Sequence, residues 1–108
     1  MDVLKIVEKR GANYILLELN GVISSYTFSD FKTKAYSYIQ ENNLVVDLSD
    51  VQSIDSSGLG VFMGVFNDGE DVGHMFYLMN PSVEALNAIN STGFTDTFNI
   101  IHSVTEVV

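Results

Sequence analysis

Leu44 to Phe66 reads LVVDLSDVQSIDSSGLGVFMGVF, and two periodicities meet inside it. Leu44 to Leu48 is short, β-branched and almost wholly apolar, the pattern of a strand covered on both faces. From Gly58 onward the large apolar residues recur as Leu59, Phe62, Met63 and Phe66, at positions i, i+3, i+4 and i+7 of one helix face. A doubly covered strand that passes through a polar loop into an amphipathic helix predicts an α/β layered fold.

The flanking sequence extends the same pattern. Upstream, Phe28, Phe31, Ala35 and Ile39 predict a helix from Phe28 to about Glu41, with Thr27 as its cap and Asp30 three positions on. Before it, Val3 to Val7 and Tyr14 to Leu19 flank Gly11-Ala12-Asn13 and read as an antiparallel hairpin. Downstream, His74 to Met79 reads as a strand, and Asn80-Pro81 offers a cap followed by proline at the first position of a helix reaching about Thr92. Gly93 suits a left-handed helix end, and Phe98 to Ile101 supplies a last strand. The expected product is one α/β domain over residues 1–108: a mostly parallel mixed β-sheet with an antiparallel opening strand and helices packed against it.

Composition narrows the function. With 46% hydrophobic residues the chain can bury a core, and its apolar runs have strand or helix length, not membrane-span length. Lys5, Lys9 and Arg10 interrupt the first residues, so no secretory leader is expected and the domain should be cytoplasmic. The absence of cysteine rules out disulfides, thiolate metal sites and a cysteine nucleophile. The net charge of −9 is unevenly spread, because every Lys and Arg lies at or before Lys34. The first 34 residues carry +1 and the remainder −10. Nucleic acid and anionic membrane surfaces attract cations, so both are disfavoured, and a basic protein surface is the natural complement. Individually, the acids can equally be solvating residues.

In parallel α/β sheets, functional surfaces gather where strands end and loops lead into helices, which here means Asp50 through Gly60. Asp47-Leu48-Ser49-Asp50-Val51-Gln52-Ser53-Ile54-Asp55-Ser56-Ser57-Gly58-Leu59-Gly60 resembles the STAS domain family. The resemblance extends to Gly21 and Thr27, to Asn80-Pro81-Ser82-Val83 and to Ser91-Thr92-Gly93-Phe94, and so covers essentially the whole chain. Within that family it is most similar to bacterial anti-sigma factor antagonists, in which the first serine after the aspartate is phosphorylated. The resemblance therefore implies Ser56 as phosphoacceptor, with Ser57 as the alternative. It also implies partners: an anti-sigma factor that is itself a serine kinase, and a serine phosphatase that resets the switch. The unphosphorylated form would bind the anti-sigma factor and free a sigma factor.

The residues have a reading of their own beside that resemblance. Ser56 at a helix start is expected to bond the amide of Gly58 or Leu59, and a phosphate there would meet free N–H groups and the positive end of the helix dipole. Asp55 adjoins it and no cation follows Lys34, so added charge should spoil an intermolecular contact and not dock an internal loop. An ordinary capping serine is the bland account of Ser56, and a dipole-favoured carboxylate that of Asp55. Gly60 and Gly64, four apart, imply close approach by a neighbour, and Val61 and Val65 fall outside the main apolar arc. The expected partner surface is Asp55, Ser57, Gly58, Leu59, Gly60, Val61 and Val65. Many family members carry Gly-Glu-Leu-Asp in the early loop where this chain has Gly21-Val22-Ile23-Ser24, which leaves Ser24 as the substitute polar contact.

Enzyme readings are weak. Ser56 is not in a Gly-x-Ser-x-Gly setting, and His74 and His102 stand at strand ends where polar residues are common. The histidines and acids show no metal-ligand spacing, and Glu70-Asp71 between Gly69 and Gly73 would repel a phosphate. No cofactor or metal is expected. A constitutive STAS scaffold, or a subunit of a signalling or transport assembly in which Ser56 is only a cap, is the competing binding-class reading. A free monomer is expected.

Overall fold

A computed structural model describes residues 3–108. Strands β1 (Leu4–Arg10), β2 (Ile15–Ile23), β3 (Leu44–Ile54), β4 (Phe76–Met79) and β5 (Asn99–Ile101) form one five-stranded sheet in the spatial order of the sequence. β1 pairs antiparallel with β2 through the hairpin, and the other three pairs are parallel. Parallel neighbours need a crossover, and α1 (Ser29–Glu41), α2 (Ser56–Val72) and α3 (Val83–Ser91) supply it.

Side chains alternate across a strand, so β3 feeds two cores. Leu44, Val46 and Leu48 face the helices and join Ile15 and Leu17 of β2, while Val45 points the other way. The helix-side core centres on Phe62, whose ring meets Phe31 edge-on at 5.9 Å, Phe98 edge-on at 6.4 Å and Phe76 tilted at 6.1 Å. Edge-to-face geometry brings the positive ring edge to a negative face and adds about 0.5–1.5 kcal/mol per pair to simple burial. On the opposite face Val104 and Val107 of the final segment lie over Leu16, Val45, Tyr77 and Met79. Glu106 fastens that segment: its Oε2 accepts the N–H of His102 at 2.6 Å and of Ser103 at 3.0 Å, which holds its carboxyl below the ordinary pKa.

The cations gather on the flank made by β1 and α1. Lys34 of α1 pairs with Glu8 of β1, the Tyr38 hydroxyl donates to the same carboxylate at 2.8 Å, and the Arg10 guanidinium lies 5.2 Å from the Tyr38 ring centre. Hydrogen bonds from Lys34 and Tyr38 lower the Glu8 pKa.

Element types match the sequence reading, and several ends differ. β2 and β3 continue past their apolar runs to pair Val22 with Ser53 and Ile23 with Ile54, across two irregularities in register. Their buried residues there alternate with exposed polar ones and the half-buried Val22, so the uninterrupted apolar signal ends before the hydrogen bonding does. Thr27 does not cap α1; its hydroxyl donates to the Val22 carbonyl at 2.7 Å and accepts the Ser24 N–H at 2.9 Å, closing the preceding turn. Asn80 does not cap α3 either. It takes a left-handed φ of 48°, and Ser82 caps the helix by accepting the Ala85 N–H. Gly93 does adopt the left-handed conformation, φ 76°, directly after the Thr92 C-cap of α3.

Candidate functional site

Asp55 is extended, with φ −89° and ψ 179°, so the chain leaves β3 and enters α2 within one residue. Its side chain is the N-cap: Oδ1 accepts the Gly58 N–H at 3.0 Å. The other oxygen, Oδ2, accepts the Ser25 N–H at 3.2 Å from the turn between β2 and α1. The Asp55 N–H in turn donates to the Ile23 carbonyl at 3.0 Å, extending the β2–β3 ladder to the edge of the site. One carboxylate thereby caps a helix and ties two loops together.

The capping role expected for Ser56 thus belongs to Asp55. Ser56 is the first helical residue, exposed, and among the described residues no side-chain hydrogen bond engages its hydroxyl. Ser57 is half-buried and Gly60 exposed, with open space where a Cβ would stand. Gly58 is buried, because a Cβ there would lie 2.6 Å from Ile23 Cγ2 and 2.8 Å from Ile54 Cγ2. The helix can seat this close to the strand ends only with glycine at that position, and that closeness leaves Ser56 at the rim.

Val61 and Val65 correct the sequence reading. They are 4% and 0% exposed, within the core and unavailable to a partner. The helix is rotated relative to the expected arc, so that Val61, Phe62, Val65 and Gly69 face inward while Leu59, Met63 and Phe66 are half-buried at the flanks. With apolar residues at nearly every turn position, the periodicity could not choose between neighbouring arcs. Gly64 is in close contact with the Tyr36 hydroxyl of α1, which accounts for one member of the Gly60 and Gly64 pair by intramolecular packing.

The early loop reaches the site, though not through the side chain of Ser24. Ser24 Oγ accepts the Tyr26 N–H at 3.2 Å and stays within its own turn, while the neighbouring Ser25 amide makes the contact with Asp55. Sequence reasoning passed over Ser25 because backbone donors carry no residue-type signal. It also passed over Tyr26, which stands 95% exposed in the same turn. The histidines lie elsewhere in the fold: the His74 ring is hydrogen-bonded to the Ile39 carbonyl beyond the far end of α2, and His102 follows β5. A shallow cleft of about 230 Å³ lined by Lys5, Glu18, Asn20, Asp47 and Asp50 contains none of the residues around Ser56. Among the described residues no three His, Asp or Glu side chains cluster to hold a metal, and no helix is long and apolar enough to cross a membrane.

Known proteins resemble this chain in sequence and in fold. The chain is 30% identical over 93 residues to the anti-sigma-B factor antagonist of Bacillus subtilis (strain 168), covering 85% of each. The unphosphorylated form of the anti-sigma factor antagonist SpoIIAA has the same fold, with a TM-score of 0.78 at 17% identity over 94% of this chain and 91% of that one. The phosphorylated form of the Bacillus cell fate determinant SpoIIAA gives 0.73 at 18% identity over 94% and 95%. The family model described as the STAS domain matches residues 4–107, and the chain belongs to that family.

Proposed function

We propose that this domain is an anti-sigma factor antagonist: its unphosphorylated form binds an anti-sigma factor with serine kinase activity and so frees a sigma factor, and phosphorylation of Ser56 ends the binding. A serine phosphatase restores the active form. The observation that carries this reading is the division of labour at the start of α2, where Asp55 takes the cap and leaves the Ser56 hydroxyl exposed. A kinase can reach that oxygen without breaking a hydrogen bond of the fold.

The chemistry of the rim supports an off-switch. A phosphoserine adds about −1.5 to −2 charge near neutral pH. The first-turn amides of α2 can share that charge, but Asp55 is adjacent and no Lys or Arg follows Lys34 in the chain. Phosphorylation therefore leaves the fold in place and adds an uncompensated, strongly hydrated anion to the surface a partner must desolvate. Ser57, half-buried one residue further on, is the less accessible acceptor. The surface itself consists of Asp55, Ser56, Ser57, Leu59 and Gly60 with the Ser24–Thr27 turn beside them.

The test is calorimetric titration of the anti-sigma factor kinases encoded in the genome that carries this chain, each purified, against wild type, Ser56→Ala and Ser56→Asp. Wild type and Ser56→Ala should bind one member alike, and Ser56→Asp should lose more than about 1.4 kcal/mol, tenfold in Kd. Equal binding by all three would instead make the domain a constitutive scaffold. Absence of binding to every member would end the antagonist reading.

A further inference from the structure

Tyr26 is more exposed than any other large apolar side chain among the described residues, yet the backbone beneath it is firmly held. Its own N–H donates to Ser24 Oγ, and the N–H groups of Thr27 and Phe28 both donate to the Ser24 carbonyl, at 3.1 and 3.0 Å. The Thr27 hydroxyl spans the turn from Val22 to Ser24, and the Ser25 amide is fixed to Asp55 Oδ2. A rigid turn thus presents a whole phenol ring to solvent, one residue from the hydrogen bond that joins the turn to the start of α2.

We propose that Tyr26 is the aromatic anchor of partner docking, inserted into an apolar pocket with a basic rim on the anti-sigma factor. This rests on the antagonist function proposed above and names the residue that gives the docking its grip. Tyrosine suits the role because it buries a large area at the cost of few rotamers, and such anchors dominate interface energetics. The pre-formed turn lowers the ordering cost further. Charge chooses the kind of partner: Asp30 opens α1 and Asp55 opens α2 on either side of the turn, while the Lys32 ammonium lies over the Phe28 ring, 5.7 Å from its centre. A basic rim complements those carboxylates. The Asp55 carboxylate, bonded to the Ser25 and Gly58 amides, also holds the turn that carries the anchor beside the helix start that carries Ser56, so a single partner surface reads both.

The experiment extends the titration to Tyr26→Ala and Tyr26→Phe against the kinase that binds wild type. Because the ring lies outside the core, thermal unfolding of both variants should match wild type. Tyr26→Ala is expected to weaken Kd by about tenfold or more, Tyr26→Phe to stay within about threefold, and wild-type affinity to fall as sodium chloride is raised. A smaller loss with Tyr26→Ala overturns the anchor and leaves the antagonist function standing. An equal loss with Tyr26→Phe overturns it too, because the hydroxyl and not the ring would then carry the contact. Affinity indifferent to salt overturns the basic rim. Sedimentation of wild type alone checks the other occupant: a dimer abolished by Tyr26→Ala would assign the ring to a second copy of this chain. If no kinase binds wild type, the antagonist function falls and the anchor with it.

Discussion

The serines at the starts of α2 and α3 are held in opposite ways. At α3 the Ser82 hydroxyl donates to the Val51 carbonyl at 2.6 Å and accepts the Ala85 N–H at 3.1 Å, while its amide donates to the Leu48 carbonyl. Donor, acceptor and backbone are all committed, and the residue joins α3 to the edge of β3. At α2 those duties pass to Asp55, and Ser56 keeps a free hydroxyl on the surface. A serine that holds the fold cannot be esterified without loosening it, whereas one relieved of capping can carry a phosphate with the structure unchanged. The difference lies in the preceding residue: aspartate before Ser56, proline before Ser82.

The contrast can be broken at several points. The most severe is Val65→Asp, which puts a carboxylate into the sealed face of α2 just below the exposed start; it is expected to cost more than about 4 kcal/mol and to abolish cooperative thermal unfolding. A variant that stayed folded and lost only partner affinity would return that face to the surface. Ser82→Ala should cost about 1–2 kcal/mol in urea unfolding, as both a cap and a buried-edge hydrogen bond disappear. Asp55→Ala should cost about 1 kcal/mol and, more diagnostically, speed amide exchange at Ser25, whose acceptor it removes. Protection at Ser25 unchanged by that substitution would separate the two loops. The smallest effect belongs to Ser56→Ala, expected within about 0.5 kcal/mol of wild type. A cost equal to that of Ser82→Ala would collapse the distinction and make Ser56 structural.

How much of this was legible in the sequence depended on which atoms do the work. The order of strands and helices followed from the periodic apolar residues, and the buried β3 run and the Gly93 helix end were readable because burial and left-handed backbone select residue types. Helix caps were less readable. Thr27, Asn80 and Ser56 each had suitable chemistry, but Ser, Thr, Asn and Asp compete for the same role, and Ser82 and Asp55 won it for their helices through position in three dimensions. The inward face of α2 was ambiguous for another reason: Leu59, Val61, Phe62, Met63, Val65 and Phe66 nearly encircle it, and only packing against Tyr36, Ile23 and Ile54 chooses the side. The meeting of the early turn with the α2 start was legible from the family resemblance as a neighbourhood, while the bond itself, from the Ser25 amide, was invisible to side-chain reasoning.

The gathering of Lys5, Lys9, Arg10, Lys32 and Lys34 on the β1–α1 flank makes the molecule an electric dipole, and a dipole turns before it touches. In the field of a basic partner the acid-rich remainder would lead, raising the share of encounters that arrive in a productive orientation. On the proposed function, phosphate at Ser56 would add to the charge of the acid-rich part of the chain while spoiling the close contact. Long-range attraction and short-range fit would then respond to the modification in opposite directions, so the switch should act by shortening the lifetime of the complex and leave the encounter rate high.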